Sequence, residues 1–283
     1  IPRLEMLFPT QYDVGVDNND YAPISWAEVQ KKIEEQINNA KKREEMILII
    51  PDVHGRSFWR SAIKKHFDEC EHVVFLGDYI DPYDWEGISK EDAICNLQDI
   101  IEFAEEHKDK VTLLLGNHDI TYVSPYFLKY ADGGRHDKSR HTIIEGIFKA
   151  SEPLFHLGWT TTLGDKKYLF THAGITSYWY EKYQSLIGEI NQENLDSLLK
   201  SDDGIKALCE VGRNRGGFTP SGSVVWADVY EHDHEKCEID GYYQIFGHSH
   251  QDEDPIINEH IACLDCRRAF ILSDEGVLVD SVK

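Results

Sequence analysis

Five times along this chain, an apolar run of strand length ends in a small or turn residue and then a side chain able to bind metal. The runs are Met46–Ile50 into Pro51 and Asp52, Val73–Leu76 into Gly77 and Asp78, and Val111–Leu115 into Gly116 and Asn117. Two more follow, Tyr168–Phe170 into Thr171 and His172, and Tyr242–Phe246 into Gly247 and His248. Buried strands of a mainly parallel sheet read as continuous apolar runs, and α/β sheets gather their ligands at the carboxyl edge. Five such endings together predict a metal site built where strands end.

Between these runs the pattern alternates strand and helix. Ser25 is placed to cap a helix reaching about Glu45, with Trp26, Val29, Ile33 and Ile37 on one face. A helix is expected over Arg56–Phe67, and another from a capping signal at Ser89–Asp92 to about His107, with Ile94, Leu97, Ile101 and Ala104 as its buried stripe. A βαβαβ beginning of this kind argues for right-handed crossovers and a mainly parallel sheet. The alternation breaks after Asn117. Residues 120–153 and 176–222 are expected to project over the site as inserted cap segments, and strands to return at 259–263, 268–272 and 276–280. Residues 1–24 read as an N-terminal arm, and 25–283 as a single domain.

Charge narrows the partners. A net charge of −22 over 283 residues disfavours long nucleic acid, whose binding draws on clustered Lys and Arg. It also repels phosphate unless metal ions and a few arginines reverse the field locally. No apolar stretch approaches the roughly 20 residues of a membrane span, and the expected location is cytoplasmic. The six cysteines, at 70, 95, 209, 237, 263 and 266, are expected as reduced thiols, since Cys263 and Cys266 lack the second pair a structural zinc site needs.

Asp52 and His54 stand two residues apart at one strand end, where both can turn to one ion. Asp78 offers two oxygens that could bridge two ions, and Asn117 a neutral oxygen. His172, His248 and His250 add nitrogens from late strands. Mixed nitrogen and oxygen donors suit Mn, Fe, Zn or Ni better than Ca or Mg. Seven ligands exceed what one ion uses, so two ions sharing Asp78 is the expected count.

Taken in order, the segments Asp52–Gly55, Gly77–Asp81, Gly116–Asp119, Thr171–Gly174 and Gly247–His250 resemble the calcineurin-like metallophosphoesterases. Within them the chain looks closest to the phosphoprotein phosphatase and bacterial diadenosine tetraphosphatase branch. The resemblance implies a four-layer α-β-β-α sandwich of mixed sheets flanked by helices, with helical insertions over the active site. It implies that Asp52, His54, Asp78 and His250 hold one ion and Asp78, Asn117, His172 and His248 the other. It further implies that His118 is a general acid, oriented by Asp81, and that a hydroxide bridging the ions attacks phosphorus. One departure matters. Pro82 stands where protein phosphatases carry a phosphate-binding Arg, so the phosphate must find cations elsewhere; Arg213, Arg215, Arg135 and Arg140 are the candidates. Trp85, Trp179 and Trp226 are expected in the core, and His136 and His141 on a polar loop.

The expected activity is metal-dependent hydrolysis of phosphate monoesters, the Ser/Thr protein-phosphatase type included. The alternatives are a dinucleoside polyphosphate hydrolase of the symmetrical diadenosine tetraphosphatase type, then a phosphodiesterase or nuclease, and last a non-catalytic scaffold. Expected substrates are phosphorylated small molecules, nucleotides or phosphoproteins.

Overall fold

The structure, a computed structural model, describes residues 25–41, 46–232, 239, 241–276 and 278–281. The arm expected over residues 1–24, the helix end expected at 42–45 and Cys237 lie outside them. The chain divides into two units, residues 1–44 and 45–283. The first contains helix α1 (Trp26–Lys41), whose start is fixed by Ser25: its Oγ accepts from Glu28 N–H, and its own N–H donates to the Glu28 carboxylate. On the apolar face, Trp26 is 78% exposed and Ile33 is also exposed.

The second unit holds two mixed sheets. The strands are β1 (Ile47–Ile50), β2 (His72–Phe75), β3 (Val111–Leu114), β4 (Phe155–His156), β5 (Gly158–Leu163), β6 (Lys166–Thr171), β7 (Tyr242–Phe246), β8 (Ile256–Ile257), β9 (Ile261–Cys263), β10 (Phe270–Leu272) and β11 (Leu278–Asp280). The six-stranded sheet runs β11-β10-β1-β2-β3-β4, with β1 to β4 parallel and β10 antiparallel to β1. The five-stranded sheet runs β5-β6-β7-β9-β8, with β6, β7 and β9 parallel. The mixed sheets flanked by helices that the resemblance implies are thus present, and the five ligand-bearing ends are shared between the two of them. β1, β2 and β3 supply three from one sheet, and β6 and β7 supply two from the other.

The apolar runs are continuous because both faces of each strand are covered. Successive strand residues point to opposite faces. Accordingly Ile47, Ile49, Val74, Leu76 and Leu114 pack with Tyr168, Phe170 and Ile245 in the layer between the sheets. Their neighbours Leu48, Ile50, Val73, Phe75 and Leu113 pack outward against Trp59 of helix α2 (Phe58–His66) and Leu97, Ile100 and Ala104 of helix α3 (Lys90–Glu106). Ser89 caps α3, accepting from Asp92 N–H at 3.0 Å.

After β3 come short helices α4 (Asn117–Val123), α5 (Pro125–Tyr130) and α6 (His141–Ala150). After β6 come α7 (Ser177–Ile187), α8 (Gln192–Asp196) and α9 (Asp202–Leu208). Trp179 and Trp226 are buried, but Trp85 is not: 66% of it is exposed, so the core assignment for it is corrected. Cys70, Cys263 and Cys266 are buried free thiols and Cys95 is an exposed one. Among the described residues no helix is long and apolar enough to cross a membrane.

Candidate metal centre

The turns after β1, β2 and β7 are sharp. His54, Asp78, Asp81 and His248 all adopt positive φ, between 44° and 63°, a conformation costly for residues with a Cβ. The preceding glycines permit the close approach that results. A Cβ on Gly116 would sit 2.1 Å from Asp78 Oδ1, and one on Gly247 would sit 2.0 Å from Asp52 Oδ1. Neither position can carry a side chain.

Asp78 is the centre of the arrangement. Its Oδ2 lies 3.4 Å from His54 Nε2 and 3.6 Å from His172 Nε2, one imidazole contributed by each sheet. Both rings are oriented by their far nitrogens: His54 Nδ1 donates to the Ile80 carbonyl and His172 Nδ1 to the Leu76 carbonyl, each at 2.8 Å. A carbonyl can only accept, so each Nε2 presents a lone pair to the site, the tautomer a metal-binding histidine needs. Asp78 Oδ1 is held by the His118 backbone N–H at 2.9 Å.

Two groups of donor atoms, each within 4.8 Å of one another, share Asp78: His54, Asp78 and His118, and Asp78, His172 and His248. Asn117 joins the second, with Oδ1 3.0 Å from His172 Nε2, and His248 Nδ1 lies 3.1 Å from that same nitrogen. His248 Nε2 is buried without a hydrogen-bond partner. Lone pairs crowded this way fit cations well: a positive ion turns the Asn117–His172 contact from repulsive to favourable. Burial holds His54 and His248 well below the usual histidine value, and His172 also below it, which keeps their lone pairs available. Burial pushes the Asp78 carboxyl up, but His172, His118, His54 and His248 outweigh it and hold it well below the usual carboxylate range. For Asp52, burial and then the Asp265 and Asp78 charges drive the pKa well up, a pressure that a bound cation would relieve.

Asp52 and His250 stand outside both groups. Asp52 Oδ1 accepts from the His248 backbone N–H at 2.9 Å, tying the two sheets together. His250, expected beside Asp52, His54 and Asp78, is partly exposed, with Nε2 3.1 Å from the Arg267 guanidinium and Nδ1 3.7 Å from Asp265. The Asp265 carboxylate, acting as acceptor to the ring, raises the His250 pKa. Attraction to that carboxylate and contact with Arg267 account for its position.

His118 is held differently from the other rings. Its Nδ1 lies 3.0 Å from Asp81 Oδ2, and Asp81 Oδ1 accepts from the Tyr122 hydroxyl at 2.8 Å. Of the four candidate arginines, Arg135 reaches this ring: one guanidinium nitrogen lies 3.0 Å from His118 Nε2 and 3.3 Å from His54 Nε2, and the other donates to the Asp81 carbonyl. Its guanidinium stacks 3.7 Å over the Tyr83 ring. Arg215 lies beside His248 but is engaged by Asp228 at 2.8 Å, Ser249 and the His248 carbonyl. Arg140 pairs with Asp137 and Glu91, and Arg213 is exposed. His136, on the loop before α6 as expected, and His141, the first residue of α6, both stack on Tyr122. Gly133 abuts His118, since a Cβ there would lie 3.0 Å from its Cε1. Next to it opens a cavity of about 440 Å³ lined by Tyr130, Gly133, Arg215, Phe218 and Trp226.

Sequence reasoning passed over Asp119. Fully buried, it accepts from the backbone N–H groups of Gly116 (2.9 Å), Asp78 (2.6 Å) and Tyr79 (2.9 Å), clamping two ligand loops together. Burial and the Asp78 charge push its carboxyl up, and these three donors pull against them. Its place in the segment Gly116–Asp119 was the available signal.

Two mixed sheets whose converging ends hold two His/Asp groups around one carboxylate define a candidate dinuclear metal centre. Residues 46–252, well over half the chain, match the family model for calcineurin-like phosphoesterases, and the chain belongs to that family. It is therefore a metal-dependent phosphoesterase, a hydrolase acting on phosphorylated substrates. Among solved structures, a protein serine/threonine phosphatase from Saccharomyces cerevisiae with similarity to human phosphatase PP5 resembles it, at 13% identity and a TM-score of 0.45. The likeness covers 83% of this chain and 74% of that one, and is too distant to bear on substrate. No curated protein sequence matches the chain.

Proposed function

We propose that the protein is a dinuclear-metal phosphomonoesterase in which Asp78, common to both donor groups, would help hold each of the two ions. The observation that carries this reading is the position of Asp78 Oδ2, between the lone pairs of His54 and His172. Asp52, His54, Asp78 and His250 are assigned to one ion. Asp78, Asn117, His172 and His248 are assigned to the other. The donor set suits Mn, Fe, Zn or Ni. Bound ions would supply an acidified water as nucleophile and positive charge at the phosphoryl oxygens.

The remaining work falls to this chain's own side chains. His118 protonates the departing oxygen, with Asp81 fixing the ring through Nδ1 so that Nε2 faces the reaction. Arg135 takes the place left by Pro82 and holds the phosphoryl group, because its guanidinium already stands at His118 Nε2. Such a position, on an inserted segment, sets the phosphate between the acid and the ligand loops. Although His118 belongs to one donor group by distance, its Asp81 partner marks it as the acid. A phosphate with a departing oxygen beside His118 directs the leaving group past Gly133 into the adjoining cavity.

The experiment is hydrolysis of p-nitrophenyl phosphate by protein loaded with Mn, before and after chelation. Metal-dependent release of p-nitrophenol, lost on chelation and restored by metal, is expected. Activity indifferent to chelation, or absent on this and a panel of other monoesters, would overturn the reading.

A further inference from the structure

Among the described residues, five other than glycine adopt positive φ. Four are His54, Asp78, Asp81 and His248, all in the site described above. The fifth is Arg267, at 58°, far along the chain and outside every motif. Backbone strain persists where the surrounding structure holds a residue to a task, and Arg267 shows what holds it. Its guanidinium lies 4.6 Å over the ring of the exposed Trp85, and one of its nitrogens is 3.1 Å from His250 Nε2. The buried Nε makes no hydrogen bond and stands 3.6 Å from Glu86 Oε1, an oxygen that Arg56 already holds at 2.9 Å. A carboxylate shared with a nearer guanidinium leaves Arg267 with charge to offer.

Arg135 and Arg267 form a pattern. Each stacks on an aromatic ring, Tyr83 and Trp85 respectively, and those rings are neighbours with centroids 5.4 Å apart. Each also touches an imidazole of the site. Two cations on one aromatic ledge, in a chain of net charge −22, create a local field suited to an anion larger than one phosphate.

We propose that Arg267, carried on Trp85, is a second anion subsite, so that the preferred substrate is a phosphate ester bearing another anionic group, phosphate or carboxylate, besides the scissile one. The inference rests on the reading that the scissile phosphate lies at Arg135 and His118. The first group is hydrolysed there while the second is held at Arg267 by charge-assisted hydrogen bonds, with the Trp85 ring keeping the guanidinium extended.

The test measures binding to the full chain loaded with Mn by calorimetry, independently of hydrolysis. The probes are alkane-α,ω-diphosphonates of increasing length and the matching alkylphosphonates. In the wild type, at least one diphosphonate is expected to bind about tenfold or more tightly than its monophosphonate, the scale of a charge-assisted contact. Arg267→Ala and Arg267→Gln should each remove most of that gain, Arg267→Lys should keep part of it, and Trp85→Ala should reduce it. Circular dichroism and the alkylphosphonate affinity report whether each variant is folded with an intact site. No gain at any length in the wild type, or an equal gain in Arg267→Ala, would overturn the proposal. Failure of the underlying reading shows separately, as absence of metal-dependent p-nitrophenyl phosphate hydrolysis.

Discussion

Replacing His118 with Asn separates a catalytic acid from a metal ligand. The side chain of His118 meets Asp81 through Nδ1 and Arg135 through Nε2, whereas Asp78 is held by the His118 backbone N–H, which the substitution leaves in place. The ligand loops should therefore keep their geometry, supported further by the three bonds to Asp119. General acid catalysis contributes about 10²–10⁴-fold, which at about 1.4 kcal/mol per decade raises the barrier by roughly 3–5 kcal/mol. That loss should depend on the leaving group. An alkyl phosphate expels a basic oxygen that needs the proton, so the full loss in kcat is expected. With p-nitrophenyl phosphate the departing oxyanion is stable without one, so the loss should be much smaller. Steady-state kinetics on both substrates, with metal content measured on the same preparations, decide the matter. Equal losses on the two esters, or departure of an ion from His118→Asn, would refute the assignment.

Asp119→Asn places an amide where three backbone N–H groups need acceptors, and should lower unfolding stability by about 2–4 kcal/mol in denaturant titration while weakening metal binding. An unchanged midpoint would show that these bonds are dispensable. Gly133→Ala puts a methyl 3.0 Å from His118 Cε1 and should cut kcat about 10–100-fold with metal content unchanged; full activity would mean that the ring has room to shift. His72, stacked on Trp159 at 4.2 Å, is held by burial down to about 4 in the folded protein. A depressed histidine stabilises the fold above its unfolded value near 6.5, and that contribution, on the order of 3 kcal/mol, is lost as pH falls from about 6.5 to 4. His72→Phe should flatten the pH dependence of stability over that window, and an identical profile would contradict the argument.

How much of this was legible in the sequence depended on whether local pattern or long-range packing decided it. The five strand ends were readable because residues such as Leu48 and Ile49 are both buried, one facing the helices and the other the second sheet. A continuous apolar run does not say which sheet a strand joins, so the division of ligands between two sheets was hidden. Arg135 and Arg140 are five residues apart in one polar stretch, and nothing local separates them; only the folded insert sends one to His118 and the other to Glu91. Trp85 looked like core by residue type, yet it lies on the surface under Arg267. Arg267 itself had no motif to announce it, since its signal is a backbone conformation.

Anomalous diffraction from crystals of the Mn-loaded protein tests the central claim most directly. Two peaks are expected about 3.5–4 Å apart, with Asp78 between them and His118 unligated beside one. A single peak, two peaks with no shared Asp78 oxygen, or direct coordination by His118 would contradict the account.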